Sequence, residues 1–413
     1  MENGNEMKTV VPILRFPEFK NTEGWKEYKL KSLCEIGNGK DYKHLGRGNI
    51  PVYGSGGYMT SVNDFLYDGE SVCIGRKGTI DKPIFLIGKF WTVDTLFYTH
   101  SFHNCLPKFL YLIFQKINWY KYNEAGGVPS LSKTTIGEIN VFVPVGKNGE
   151  LKEQQKIVDC IFSLDELIEA TTQKVEALKE HKKGLMQRLF PAEGKNVPDL
   201  RFPEFQGTSA WEEKKLGDIV GIKGRIGFRG YTTKDIVEQG NGAIALSPTN
   251  ITDNGNLNFE KSTYISWEKY EESPEIQLKK GYIVLVKTGS SYGKSALVKE
   301  LPTKTTVNPQ IVVLKPEEGV NEYFMSVLIS HPMIQKQIKC AVVGGAIPTL
   351  SQESISKFDV LYPIKTSYKP SEQEKIADCL SSLDELIETT SRKIEILEEH
   401  KKGLMQQLFP KFD

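Results

Sequence analysis

Two stretches of the chain carry apolar residues at intervals that alternate between four and three. The first runs Ile157, Ile161, Leu164, Ile168, Val175, Leu178, Leu185 and Leu189; the second runs Ile376, Leu380, Leu383, Ile387, Ile394, Leu397, Leu404 and Leu408. Each alternation breaks twice, at Thr171 and Lys182 in the first copy and at Thr390 and Lys401 in the second. This is a heptad seam held for about five heptads, with charged residues on the other faces, and it predicts one long helix per stretch. Pro191 and Pro410 end them. A helix of ~38 residues is roughly 57 Å long, more than a globular block of ordinary size can cover, so each needs a helical partner. The other copy in the same chain, running antiparallel, is the expected partner; a parallel coil between two chains is the alternative.

Outside the seams the pattern shortens to strand-sized apolar runs punctuated by glycine. Strands are expected at Ser71 to Gly75, Ile84 to Gly88 and Phe90 to Tyr98, followed by a helix from Pro107 to Trp119. The second block repeats the texture, with strands near Ala243 to Ser247, Gly281 to Val286, Ser295 to Val298 and Gln310 to Leu314, and a helix from Glu322 to Lys339. The expected organisation is a short N-terminal segment (1–24), a mixed α/β domain (25–150), a long helix (151–191), a linker (192–210), a second mixed α/β domain (211–370) and a second long helix (371–410).

The two halves are copies. Arg15-Phe16-Pro17-Glu18-Phe19, with Trp25 and Lys29-Leu30, returns as Arg201-Phe202-Pro203-Glu204-Phe205, Trp211 and Lys215-Leu216. Gly126-Gly127-Val128-Pro129-Ser130-Leu131-Ser132 returns with one insertion as Gly344-Gly345-Ala346-Ile347-Pro348-Thr349-Leu350-Ser351. Glu153 to Pro191 aligns without gaps to Glu372 to Pro410, most positions being identical. Between these anchors the copies diverge, and the offset grows from 186 residues (Arg15 to Arg201) to 219 (Glu153 to Glu372). The variation is concentrated in the two blocks.

The blocks hold the candidate chemistry. One Gly-rich segment from Gly39 to Asn49 groups Lys40, Lys43, His44, Arg47 and Asn49, with Ser55 just beyond; its counterpart offers Arg225, Arg229, Tyr231 and Thr232. A second pair of Gly-rich turns follows a strand in each block and carries Arg76, Lys77 and Thr79, or Lys287, Ser290 and Lys294. Arginine and lysine neutralise phosphates and, with asparagine, address base edges, so these residues, His44 aside, are fifteen candidate DNA contacts; solvated basic loops are the plainer reading. Gly289 to Ser295 misses a phosphate-cradling loop by one residue and leads into strand-like sequence, which argues against nucleotide binding there. Neither block has a helix-turn-helix or zinc-finger signature. Both seams also share the polar run Glu-His-Lys-Lys-Gly-Leu-Met-Gln. Its identity points to a partner protein docking twice, through Glu180, His181, Lys182, Lys183 and Gln187 and through Glu399, His400, Lys401, Lys402 and Gln406.

The six cysteines (Cys34, Cys73, Cys105, Cys160, Cys340, Cys379) are scattered without zinc-ligand spacing and read as reduced, with no metal. Net charge is +1, and the longest apolar runs are too short to span a membrane. The first residues lack a secretory pattern, so the cytoplasm is the expected location.

The repeat, its order of motifs and these loops resemble the specificity (S) subunits of type I restriction-modification systems over nearly the whole chain. The marks are Leu14-Arg15-Phe16-Pro17-Glu18-Phe19 and its copy, the Gly-Gly-x-Pro-x-Leu-Ser turn, the Glu-Gln-x-Lys-Ile helix starts (Glu153 to Ile157, Glu372 to Ile376) and the Lys-Lys-Gly-Leu-Met-Gln close. The resemblance implies two target recognition domains, each reading half of a split DNA sequence, and an antiparallel helix pair whose length sets the unread spacer; the divergence of the two blocks makes that target non-palindromic by expectation. It implies docking of two modification (methyltransferase) subunits and of translocating restriction subunits. S-adenosylmethionine belongs on the modification subunit and ATP with Mg on the restriction subunit, none of them on this chain. Base-reading positions do not carry over, because the blocks match the family only in framework residues. No Asn/Asp-Pro-Pro-aromatic tetrad and no Gly-rich cofactor loop is present, Asn308-Pro309-Gln310-Ile311 being neither; the chain is therefore expected to be non-catalytic alone. A coiled-coil interaction scaffold and a stand-alone DNA-binding protein are the alternatives.

Overall fold

The computed structural model describes residues 9–146, 151–225, 230–341, 349–364 and 368–411. The chain divides into two compact units, Met1–Gln173 with Ser391–Asp413, and Lys174–Thr390. Each contains one α/β block, the N-terminal part of one long helix and the C-terminal part of the other.

The two blocks share the topology of one sheet and most of a second. In unit 1 an antiparallel sheet runs Glu35–Asn38, Leu96–His100, Ser71–Gly75, Ile84–Leu86; in unit 2 the same order is Val220–Gly224, Ile311–Pro316, Ile283–Val286, Ser295–Leu297. A second sheet in unit 1 orders Gly57–Val62, Arg47–Gly54, Lys89–Thr92, Tyr67–Asp68, with Val52 beside Trp91 in a parallel pairing. Its counterpart orders Ile236–Val237, Thr263–Ser266, Gly242–Leu246, Thr305–Val307, again with one parallel pairing, Ile244 beside Thr305. Sequences that diverge almost fully thus keep the order of the first sheet and of three strands of the second; the fourth strand differs, Tyr67–Asp68 lying beside Lys89–Thr92 in unit 1 and Ile236–Val237 beside Thr263–Ser266 in unit 2.

The long helices run Lys152–Leu189 and Glu372–Gln407. They pack together antiparallel: Asp165 meets Lys401 at 2.5 Å in unit 1, and Lys182 meets Asp384 at 2.5 Å in unit 2. These are one ion pair written twice, since the repeat carries Asp165 onto Asp384 and Lys182 onto Lys401. The seam's interruptions are thereby explained. Both lysines reach across the helix pair, and Thr171 and Thr390 stay buried because each hydroxyl donates to the carbonyl one turn back, Leu167 and Leu386, at 2.6 Å.

Each unit's core is closed by both helices. In unit 1 Ile157, Val158 and Ile161 of the first helix join Leu408 and Phe409 behind the second; in unit 2 Ile376, Ala377 and Leu380 join Leu189 and Phe190. Phe409 stacks on Phe109 (5.3 Å) and meets Trp25 edge-on (5.6 Å). Phe190 stacks on Phe324 (5.3 Å) and meets Trp211 edge-on (5.7 Å). The repeated opening motif locks this arrangement. Arg15 donates twice to Glu153 at 2.7 Å, Trp25 Nε1 donates to the same carboxylate at 3.1 Å, and Arg201, Trp211 and Glu372 repeat the contact. Arg15 and Glu153 are buried, so each charge depends on the other.

Three elements differ from expectation. The helix expected from Glu322 to Lys339 is two, Glu322–Ser330 and Pro332–Ala341, because Pro332 has no N–H to continue the first. The strand expected from Phe90 to Tyr98 is also two, parted by a turn in which Leu96 N–H donates to Val93. Finally, the end of the Gly39 to Asn49 loop is strand: Arg47–Gly54 pairs with Gly57–Val62 as a hairpin around Ser55 and Gly56.

Candidate nucleic-acid interface

In unit 1 the buried strand Ser71–Gly75 delivers Arg76 and Lys77 to the surface, both exposed. The turn is held from two sides. Arg76 N–H donates to Thr95 (2.8 Å), while Leu131 N–H donates to the Arg76 carbonyl (2.9 Å) and Gly78 N–H to Pro129 (2.9 Å). The Gly-Gly-x-Pro-x-Leu-Ser segment is thus a strap across the basic turn. Gly78 adopts φ +91°, and a Cβ there would face Ser55 Oγ at 3.3 Å, which places the hairpin tip against the turn. Lys40 N–H donates to Thr92 (2.8 Å) and Val93 N–H to Tyr53 (2.9 Å). Lys40, Ser55, Arg76, Lys77 and Thr79 therefore gather around Thr92 to Thr95.

Arg47 and Asn49 do not join them. Both are exposed, but they open the strand that ends at Gly54, roughly 23 Å along at ~3.3 Å per residue. Lys43 is exposed in the preceding loop, its N–H held by Asp41. Beside the hairpin tip project Tyr58 and Met59, 64% and 51% exposed. Nothing in the sequence selects them, since an alternating strand places residues on both faces.

Unit 2 repeats these tethers through Thr349 and Leu350, Gly344 to Pro348 lying outside the described residues. Lys287 follows the buried strand Ile283–Val286, its N–H donates to Gln310 (2.8 Å), its carbonyl accepts from Leu350 (2.8 Å), and Thr288 bridges to Thr349. Lys287 and Arg76 are equivalent positions. Burial lowers the Lys287 pKa below the usual lysine range. Ser290 is exposed on the same turn, and Lys294 pairs with Asp253. An exposed pair of this kind, screened by solvent, contributes little to stability. Strand Ser295–Leu297 follows Lys294, so no helix N-terminus is there to cradle a nucleotide.

The other predicted segment of unit 2 needs correction. Arg225 is 3% exposed and serves the fold: Nε donates to the Val307 carbonyl (3.1 Å), Nη2 donates to Thr306 Oγ1 (3.2 Å), and the group lies over the Tyr231 ring. It is not a surface contact. Tyr231 is half-buried against it, and the exposed Thr232 donates both N–H and hydroxyl to Asp235, closing a short helical turn. Arg229 lies outside the described residues.

The docking residues also divide. Lys182 and Lys401 are committed to the cross-helix ion pairs, so they hold the helices together and do not present a free charge to a partner. Glu180, His181, Lys183 and Gln187 are exposed, as are Glu399, His400, Lys402 and Gln406. Leu185, Met186, Leu404 and Met405 of the same runs pack on the cores.

Burial pushes the Cys34 and Cys73 thiols up to about 12, which keeps both protonated and unreactive. Among the described residues no cluster of His, Cys, Asp and Glu is arranged to hold a metal, and no helix is long and apolar enough to cross a membrane.

Comparison with known proteins agrees with this geometry. The family model for the type I restriction modification DNA specificity domain matches residues 22–180 and again 208–399. A type I restriction enzyme specificity subunit of Methanocaldococcus jannaschii, MjaVIII, is 24% identical over 368 residues, covering 85% of this chain and 79% of that protein. Among solved structures, the type I restriction-modification system S subunit from M. genitalium superposes with a TM-score of 0.62 at 14% identity, covering 98% of this chain and all of that one. A chain from a structural study of type I R-M complex assembly and conformational transition superposes at 0.52 with 14% identity, covering 93% and 96%.

Proposed function

Because the chain belongs to the type I restriction modification DNA specificity domain family and carries that domain twice, we propose that it selects the DNA sequence on which a type I restriction-modification complex acts. Each block reads one half of a split target. The observation that carries this reading is the strapped turn: one scaffold, with the same two backbone tethers, presents Arg76 and Lys77 in one block and Lys287 and Ser290 in the other. A shared scaffold with different tips is what two half-sites of different sequence require, so the target is non-palindromic.

In this reading the chain has no catalytic group of its own. Two methyltransferase subunits dock through the duplicated exposed residues Glu180, His181, Lys183 and Gln187 and their copies, bringing S-adenosylmethionine; restriction subunits bring ATP and Mg. All work in the cytoplasm, where the DNA is.

Single-molecule sequencing of DNA from cells expressing this chain with its methyltransferase is expected to show one bipartite, non-palindromic methylated motif. Random methylation, or a palindrome, would sink the proposal. The purified chain alone with labelled S-adenosylmethionine is expected to transfer nothing; transfer would refute its non-catalytic role.

A further inference from the structure

Asn308 leaves the buried strand Thr305–Val307 and is itself only 7% exposed. Two residues on, Gln310 is exposed beside the strapped turn, its carbonyl accepting from Lys287 N–H. A chain of hydrogen bonds fixes how the Gln310 amide faces. The Gln310 backbone N–H can only donate, and Asn308 Oδ1 accepts it at 3.0 Å. That sets the Asn308 amide with Nδ2 as its other end, and Nδ2 donates to Gln310 Oε1 at 3.1 Å. The glutamine carbonyl is therefore turned inward. Its Nε2 faces Gly289, where a Cβ would lie 3.4 Å away and where φ is +101°.

We infer that Gln310 reads a base edge in the half-site bound by unit 2, and that Asn308 is the positioning residue that orients it. This inference rests on the DNA-reading function proposed above and names a residue within it. An exposed glutamine ordinarily samples many rotamers and spends binding energy on being ordered; here the ordering is already made by a buried partner. What remains free, among the described residues, is a pair of N–H donors on Nε2 beside one lone pair on Oε1. In the major groove an acceptor next to a donor is the signature of adenine, through N7 and N6; guanine offers two acceptors, and cytosine and thymine one group each. Adenine is the base this geometry fits. Lys287 and Ser290 on the adjoining turn supply the neighbouring phosphate contacts. In unit 1 the equivalent of Gln310, by its bond to Arg76, is Thr95, and Val93 stands where Asn308 stands in unit 2. The amide pair has no counterpart there, so the two halves are read by different chemistry.

The test is selection from a duplex library by the chain in complex with its methyltransferase subunits, comparing wild type with Gln310→Ala, Gln310→Glu and Asn308→Asp. Gln310→Ala is expected to lower the preference for adenine at one position of one half-site by roughly 5- to 150-fold, the other half-site and the spacer being unchanged. Gln310→Glu should move that position towards cytosine, whose amino group a carboxylate accepts. Asn308→Asp keeps the acceptor for the Gln310 N–H and loses the Nδ2 donor, so it should relax the same single position in part, which a general loss of folding would not do. An unchanged motif in Gln310→Ala, or an equal loss of affinity for every sequence, overturns the inference while leaving the split target intact. A wild-type complex without any bipartite preference overturns the parent reading, and this one with it.

Discussion

Unit 2 is drawn from a single stretch of chain, Lys174–Thr390, whereas unit 1 joins Met1–Gln173 to Ser391–Asp413. Both are nonetheless closed by the same device, a phenylalanine following a long helix and seated between a tryptophan and a second phenylalanine. Unit 2 receives its plug, Phe190, from residues just before its own block. Unit 1 receives Phe409 from residues more than two hundred positions after its block is finished. Connectivity and packing are therefore separable here. The third neighbour of each plug differs too: Lys116 lies over Phe409 at 5.3 Å and donates to the Met405 carbonyl, while His331 stacks on Phe190 at 5.1 Å. A shared socket has accepted two different titratable lids.

Removing Ser391–Asp413 should break the comparison most sharply. Unit 1 loses Leu404, Met405, Leu408 and Phe409 from its core and is expected to lose cooperative unfolding, while unit 2 keeps its own plug. Phe409→Ala is the milder form, costing unit 1 about 3–5 kcal/mol, with Phe190→Ala doing the same to unit 2. Hydrogen exchange resolved by unit would reveal it; equal loss of protection in both units from either change would show that they do not fold separately.

Next in size is the Arg-Glu-Trp lock. Glu153→Ala strands the buried Arg15 and should cost about 3–5 kcal/mol in unit 1, and Glu372→Ala should do so in unit 2. Denaturant titration followed in each unit would measure it, and a cost below ~1 kcal/mol would mean the pair is hydrated in solution.

The smallest effect is on pH dependence, and there the units should part. Burial lowers Lys116 from its ordinary 10.5 to about 8. Between those values the unfolded chain holds the extra proton, so unit 1 gains stability as pH rises from about 8 to 10.5. Burial also lowers His331 below its ordinary 6.5, so unit 2 loses stability as pH falls below 6.5. Lys116→Met and His331→Phe should each flatten one limb of the melting-temperature profile and leave the other; a profile insensitive to both would remove the lids from the account.

Much of the helical architecture was legible in the sequence, because a seam of period 3.5 needs no knowledge of distant residues. The breaks at Lys182 and Lys401 were not, since their meaning depends on aspartates on the other helix. The strapped turns were legible in part: an apolar run followed by glycine and a basic residue pointed to Arg76 and Lys287. Arg225 has the same local signature and yet faces inward, because its burial is set by Val307, 82 residues away. Gln310 gave no signal of its own. Its orientation comes from one buried amide two residues earlier, and a sequence does not display which amides are buried.

The seating of Phe409 in unit 1 has a consequence in time. A ribosome that has completed Gln173 must add the stretch up to Phe409 before unit 1 can close, on the order of 10–50 s at about 5–20 residues per second. Unit 2, begun later, has every part of its core once Leu380 has emerged. The first block to be made is the last to mature, and during that wait the Trp25 and Phe109 surface stands open to whatever chaperone guards nascent chains.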